Sequence, residues 1–336
     1  MNLLITGGAG FIGSAMARYL IENTKNYIAV VDSLTYAGNL KSISGLDKSP
    51  RFEFHKQDIL NTKYMTKLFR DFKPNAVIHF AAESHVDNSI RSPEKFLKTN
   101  ILGTYSLLNI SLDFYSRLSE VEKSQFKFHH ISTDEVYGDL SITEDPFTEE
   151  NAYKPSSPYS ASKASSDHLV SSWHRTYGLP TIITNCSNNY GPYQNQEKLI
   201  PTIIKNALFG NKIPIYGQGK NIRDWLFVED HVSAIWTVLK KADPGSTYNI
   251  GGNEERTNLQ IVNHICSLLD QLEVSKPSEI LSFKELISFV KDRKGHDFRY
   301  AIDSSKIYQD FGWLPSETFE TGILKTVKWY LKEYKI

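Results

Sequence analysis

Leu3-Leu4-Ile5-Thr6-Gly7-Gly8-Ala9-Gly10-Phe11-Ile12-Gly13 is an apolar run that breaks into glycines at every third position, 7, 10 and 13. The apolar part reads as a buried strand, and a helix is predicted over 14–21. Glycine is needed here because a tight turn must join strand to helix and a pyrophosphate must come close to backbone at the helix start. A carboxylate should follow at the end of the next strand. Asp32 does so, after Ile28-Ala29-Val30-Val31 and 19 residues beyond Gly13. It would accept from the adenosine ribose hydroxyls and repel a 2′-phosphate, which selects NAD over NADP.

Outward from this unit, strands and helices alternate. Strands are predicted at 52–55, 76–80, 126–131 and 181–184, with helices over 63–72, 93–117 and 159–177 between them. The third strand ends at Asp58-Ile59, placed to meet the adenine edge. The fourth runs into Phe80-Ala81-Ala82-Glu83-Ser84, whose small residues let a cofactor lie against backbone. Thr99 and Asn100 fall inside the long helix, either as helix residues with local hydrogen bonds or as groups reaching the cofactor. The fold expected is α/β: a Rossmann-type doubly wound parallel sheet with a smaller C-terminal α/β substrate-binding region. The division expected is 1–190 for NAD binding, with part of 223–250 returning to it, and 191–336 for substrate. The acid-, Ser- and Pro-rich segment 139–158 reads as a loop and a candidate lid.

Bulk properties narrow the function classes. The chain has 336 residues, 40% hydrophobic and 23% charged, with 38 basic and 38 acidic side chains. Balanced charge argues against a nucleic-acid partner, which calls for a basic face. Two cysteines, Cys186 and Cys266, give neither a disulfide framework nor zinc spacing. Adjacent His129 and His130 on a strand point to opposite faces and cannot share one ion, so no metal is expected. With no targeting segment and no run long enough to span a bilayer, the expectation is a cytoplasmic protein without a membrane partner.

Two further stretches carry the chemistry. Thr133-Asp134-Glu135 places a hydroxyl and two carboxylates at the end of the fifth strand. Tyr159 and Lys163 stand four apart on one helix face. There a Lys ammonium near the phenol would lower its pKa and fit it to take a proton. Neighbouring carboxylates held at different pKa values supply the acid and the base that water elimination requires. Beyond 190 the polar clusters Gln196-Glu197-Lys198, 218–224 and 292–297 stand out, with Arg223 a candidate diphosphate clamp.

These runs resemble the extended short-chain dehydrogenase/reductases and, within them, the dTDP-glucose 4,6-dehydratases. The resemblance is carried by TGGAGFIGS at 6–14, DSLTYAGNL at 32–40, AAESHVD at 81–87 and HHISTDEVYG at 129–138. SPYSASKASSDHLV at 157–170, NCSNNYGPY at 185–193, EKLIP at 197–201 and RDW at 223–225 extend it. It implies NAD as cofactor, dTDP-glucose as the nucleotide-sugar substrate, and a homodimer paired through the helices near 93–117 and 159–177. It implies a catalytic set of Thr133, Asp134, Glu135, Tyr159 and Lys163. The dinucleotide would be lined by Gly7, Gly10, Phe11, Ile12, Gly13, Asp32, Ser33, Leu34 and Thr35. Asp58, Ile59, Phe80, Ala81, Ala82, Ser84, Thr99, Tyr159, Lys163 and Asn189 would complete that lining. The nucleotide-sugar would meet Ser84, Thr133, Asn188, Lys198, Leu199, Pro214, Ile215, Tyr216, Arg223, Asn258, Asp292, Arg293, Lys294, Gly295 and His296. Asn88, Lys154, Lys294 and Phe298 depart from the pattern of that family.

Overall fold

The computed structural model describes residues 1–277, 279–293 and 295–335. Its first part runs β1 (Asn2–Thr6), α1 (Phe11–Asn23), β2 (Tyr27–Asp32), β3 (Phe52–Lys56), α2 (Thr62–Phe72) and β4 (Ala76–His79). It continues through α3 (Val86–Arg91), α4 (Pro93–Phe96), α5 (Thr104–Ser116), α6 (Glu120–Gln125), β5 (Lys127–Thr133), α7 (Pro158–Tyr177) and β6 (Thr181–Cys186). The second part holds β7 (Asn188–Tyr190), α8 (Leu199–Leu208), β8 (Ile213–Tyr216), β9 (Ile222–Phe227), α9 (Val228–Lys241) and β10 (Thr247–Ile250). The chain ends with β11 (Glu255–Thr257), α10 (Asn258–Gln271), β12 (Ile287–Val290), β13 (Arg299–Tyr300), α11 (Ser305–Phe311) and α12 (Phe319–Glu333).

Seven strands form one parallel sheet in the order β10-β6-β5-β4-β1-β2-β3. The order reverses at β1, so a crevice opens at the carboxyl ends of β1 and β4, where such sheets bind ligands. Both faces are covered, and the period-2 alternation of each strand divides its side chains between them. Leu3, Ile5 and Val30 pack with α1 and α9, whereas Leu4, Ala29 and Val31 pack with α2, α5 and α7. Each fully buried Leu, Ile or Val contributes about 1.5–3 kcal/mol. A third core, around Ile203, Ile261, Ile265, Phe319 and Ile323, belongs to the C-terminal elements. Those elements carry a small sheet centred on β9 and the parallel pair β8–β12.

The two parts interleave. The segment containing α9 and β10 returns to the large sheet, where β10 pairs β6. Further along, Ile307 of α11 and Trp313 join the same core as α1 and α9. These last residues thus pack with the dinucleotide part and not with the substrate region expected for 191–336.

The long helix expected over 93–117 is not continuous. Between α4 and α5, Leu97–Gly103 forms a π-turn. The Asn100 amide donates to the Glu83 carbonyl (3.0 Å) and Ser162 Oγ (2.8 Å), while its oxygen accepts from the Glu83 N–H (2.8 Å). Asn100 is therefore the hydrogen-bonded member of its pair, and Thr99 turns to the crevice. The first helix begins at Phe11, three residues before the expected start, so its opening turn lies in the glycine motif itself.

Segment 139–158 is a strap rather than a lid. Asp139 Oδ1 accepts from the backbone N–H of Phe298 (2.6 Å) and Arg299 (2.9 Å). Phe147 bridges to Ile302, and Glu149 accepts from the N–H of Asn249 (2.7 Å). These ties pull the segment onto 297–303 and β10, away from the crevice.

Candidate active site

A cavity of about 300 Å³ occupies the crevice. Its floor begins at the glycines. Gly7 has φ +70°, and a Cβ there would lie 2.6 Å from the N of Ala81. At Gly13 a Cβ would run into the Gly7 carbonyl and lie 2.9 Å from Gly8 Cα. The Gly10 cap of α1 has no side-chain hydrogen bond, so the first N–H groups of the helix are free to meet an anion. Asp32 closes this end: its Oδ2 accepts from Ala9 N (2.9 Å) and its Oδ1 from Leu34 N (2.8 Å). Burial pushes its pKa up, and these backbone donors restrain it. Lone pairs remain for ribose hydroxyls. Cradle, helix start and carboxylate together fit a dinucleotide with a free 2′-hydroxyl. Gly13→Ala is expected to weaken NAD binding more than tenfold by titration calorimetry while the fold survives, because the backbone of the cradle must shift.

The cavity lining includes the dinucleotide candidates Gly7, Gly10, Phe11, Ile12, Gly13, Asp32, Ser33, Thr35, Asp58, Ile59, Phe80, Ala81, Ala82, Ser84, Thr99 and Asn189. Leu34 is not in that lining: its N–H is held by Asp32 and its partly buried side chain packs against the apolar core, so a backbone contact is what it could offer the dinucleotide. Sequence reading passed over Tyr36, Glu83, His85, Ser187, Gln194 and Asn195, which also line the cavity. The signal lay in motifs already singled out, since Tyr36 stands in 32–40 and Glu83 in 81–87.

The chemical end is built on β5. After Thr133 the chain enters a short 3₁₀ turn, Asp134–Val136, capped by the Thr133 hydroxyl, which accepts from the Glu135 N–H (3.3 Å). Thr133, Asp134, Glu135, Tyr159 and Lys163 all line the one cavity. Asp134 is 3% exposed, and its Oδ2 is a buried oxygen without a hydrogen-bond partner among the described residues. Burial, followed by the charges of Glu135 and Asp224, drives its pKa well above the usual carboxylate range. Burial raises Glu135 too, but Lys198 and Arg223 pull it back down. The two neighbours are thus poised unequally: burial and like charge favour the protonated form of Asp134, while Glu135 sits in a cationic field.

Tyr159 and Lys163 require a correction. The Lys163 ammonium donates to the Ile131 carbonyl (2.9 Å) and lies 3.3 Å from His130 Nε2. The phenol is raised well above its ordinary pKa, first by burial and then by the charge of Glu135, with the nearby Thr133 hydroxyl opposing. Helical spacing places the two on one face, but the lysine tip follows the nearest buried carbonyl. His129 and His130 do point apart: His129 meets the Thr184 hydroxyl (3.1 Å), while His130 faces Lys163.

The substrate candidates divide. Ser84, Thr133, Asn188 and Lys198 line the cavity, and the Lys198 ammonium donates to the Ser84 carbonyl (3.3 Å). The side chains of Leu199 and Ile215 pack with the C-terminal core, which leaves only their backbone to face a ligand. Pro214 and Tyr216 occupy the outward positions of β8, where Tyr216 lies beneath the Arg293 guanidinium at 5.4 Å. Arg223 is buried on the Tyr300 ring at 4.2 Å, donating to the carbonyls of Asp297 (2.9 Å) and Phe298 (3.2 Å). Arg293 pairs with Asp87 (2.7 Å). Asp292 and His296 pair with each other (2.7 Å), Gly295 is exposed with φ +61°, and Asn258 opens α10. Lys294 lies outside the described residues. Cationic charge from Lys198, Arg223 and Arg293 nevertheless converges on Glu135.

Comparison with known proteins follows the same lines. The family model described as GDP-mannose 4,6 dehydratase matches residues 4–326. The dTDP-glucose 4,6-dehydratase of Haemophilus influenzae is 56% identical over 331 residues, 98% of each chain. One from Escherichia coli is 56% identical over 339 residues, covering 98% of this chain and 94% of that protein. Among solved structures, the dTDP-glucose 4,6-dehydratase of Streptomyces venezuelae with NAD bound is 40% identical at a TM-score of 0.89, covering 100% and 98% of the two chains. The UDP-glucose 4-epimerase of Thermotoga maritima is 29% identical at a TM-score of 0.85, covering 99% and 100%.

Proposed function

Because the chain belongs to the GDP-mannose 4,6 dehydratase family, we infer that it is an NAD-dependent dTDP-glucose 4,6-dehydratase, forming the 4-keto-6-deoxy sugar and water. The observation that carries this is the Asp134-Glu135 pair lining one cavity with Tyr159, Asp134 buried and Glu135 partly so. An epimerase on the same fold needs no acid and base on neighbouring carbons.

The glycine cradle and Asp32 would hold NAD, which when bound would supply the hydride acceptor for C4 and the hydride for C6. Tyr159 takes the C4 hydroxyl proton, and the Thr133 hydroxyl polarises the same oxygen. Oxidation at C4 makes the C5 proton acidic. Glu135 removes it, its basicity set by burial against the pull of Lys198 and Arg223. Asp134, still protonated, gives its proton to the departing C6 hydroxyl, so water leaves with no net redox change. Lys198, Arg223 and Arg293 offer the charge that a diphosphate needs.

Two copies pairing through α5 and α7 would cover Leu97, Leu102, Tyr105 and Tyr177, all exposed here. That reading of a homodimer is tested by sedimentation. A cytoplasmic location accords with the absence, among the described residues, of any helix long and apolar enough to cross a membrane.

The function is tested with dTDP-glucose carrying deuterium at C4. The expected product is the 4-keto-6-deoxy sugar with the label at C6. Product unlabelled at C6, or no such product, overturns the reading, and UDP-glucose in the same assay reports the choice of base.

A further inference from the structure

Asn189 stands at the chemical end of the cavity. β6 runs beside β5 with Cys186 in register with Thr133, and Asn189 follows three residues later in the cavity wall. Its side-chain amide is fixed on both sides. Nδ2 lies 2.9 Å from the Ser187 carbonyl, which can only accept, so that atom is the nitrogen and the other is the oxygen. The oxygen lies 2.8 Å from His231 Nδ1. Two acceptors cannot share a hydrogen bond, so Nδ1 carries the proton and donates to Asn189. Gln194, also in the wall, donates its amide to the Asn189 backbone carbonyl (2.8 Å).

His231 comes from α9. The pairing of β7 with β9 sets Asn189 opposite Leu226, and α9 begins two residues after Leu226. The ring is 0% exposed, on a helix face otherwise made of Val228, Val232 and Ile235. Burial pushes its pKa down to about 3, so the ring is neutral. Its second nitrogen, Nε2, is buried with no hydrogen-bond partner among the described residues. A position required only for packing would carry a leucine or phenylalanine, with no orphaned acceptor.

We propose that His231 is a positioning residue for the cofactor: by donating from Nδ1 it locks the Asn189 amide into the wall that receives the nicotinamide half of NAD. Hydride exchange with a sugar held beside Thr133 and Tyr159 has to take place at this end, while the glycine cradle and Asp32 take the ADP half. With its oxygen and one N–H committed, Asn189 presents its other N–H in a single orientation. Released from His231, the amide would turn between rotamers, and ordering it would subtract from cofactor affinity. His231 is not part of the cavity lining and acts through Asn189.

The test is titration calorimetry of the full-length protein with NAD and with ADP, which lacks the nicotinamide half. The proposal rests on the cavity being the NAD site. A wild type that binds no NAD overturns that reading and the proposal with it; failure confined to the variants overturns the proposal alone. An asparagine amide places its nitrogen where histidine has Nδ1, and a glutamine amide where it has Nε2. His231→Asn therefore keeps the donor to Asn189 in a smaller side chain, whereas His231→Gln is nearer in volume but moves the donor. NAD affinity is expected within about threefold of wild type in His231→Asn and reduced roughly tenfold in His231→Gln, the scale of one buried hydrogen bond lost. ADP affinity should stay within about twofold in both, because the cradle is untouched. A packing role alone reverses the order, since asparagine leaves the larger void. Equal NAD affinities in the two variants, the reverse order, or a parallel loss of ADP binding overturns the proposal. If His231→Gln does not fold, His231→Leu, which also lacks the donor, takes its place. A folded glutamine or leucine variant beside an unfolded His231→Asn overturns it equally.

Discussion

Replacing Asp134 by Asn and Glu135 by Gln together is expected to stop water loss while leaving the oxidation at C4 intact. Each exchange removes an acid or a base that contributes about 10²–10⁴ in rate, and the two serve one elimination, so product formation should drop below detection. Neither residue belongs to the glycine cradle or contacts Asp32, so NAD affinity should stay within about twofold. Rapid mixing with substrate should still show reduction of the bound nicotinamide. Equal loss of NAD binding would mean the carboxylates build the cofactor site rather than the chemistry. The single Asp134→Asn change adds a stability test whose sign is fixed. The Asp134 pKa is raised in the folded state. The wild type therefore holds that proton more tightly when folded, and its stability falls as pH rises above the unfolded value of about 4. An amide does not titrate. The variant's advantage should appear above that pH and grow towards the folded pKa, reaching about 2–4 °C in Tm at pH 8 for each kcal/mol recovered. A Tm difference independent of pH would show that Asp134 is ionised in the resting protein.

Tyr159→Phe is the second large effect, and it fails one step earlier. The ring keeps its packing against Phe96, at a centroid distance of 6.3 Å. Only the proton acceptor for C4 disappears. A fall in kcat of about 10²–10⁴ is expected with little change in KM. Unlike the carboxylate double variant, this one should show no transient nicotinamide reduction. Reduction at the wild-type rate would transfer the role of C4 base from Tyr159 to another group, with Glu135 the nearest charge to examine.

How far the sequence led depended on the kind of physics involved. The glycine spacing, Asp32 and the alternation of buried strands are local, and they placed the sheet and the cofactor end. The Asp134-Glu135 turn stood out only in its context: alone, such a pair reads as an exposed turn, but it falls between the Asp32 fingerprint and Tyr159-x-x-x-Lys163. The π-turn at Leu97–Gly103 was not, since it follows from Asn100 reaching the Glu83 backbone, a contact between segments 17 residues apart. The destination of the Lys163 ammonium was hidden for the same reason: the Ile131 carbonyl and His130 that receive it lie 32 and 33 residues away. Leu34, Leu199 and Ile215 stood in stretches that look like ligand loops, but their apolar side chains took the cores within reach. The strap at 139–158 has the composition of a mobile flap, and only its pairing with Phe298, Arg299 and Ile302 fixes it in place.

The cations that restrain Glu135 reside on elements after residue 190, whereas Glu135 itself belongs to the turn after β5. Under the proposed function, recognition of the nucleotide and the basicity of Glu135 draw on the same side chains. A change of Arg223 or Arg293 made to alter the preferred diphosphate sugar is then expected to shift the pH–activity profile as well, which a kcat–pH series on the variant checks. Selection for a new substrate and selection for a new operating pH thus constrain one another in this scaffold, and engineered lines should recover both together or neither.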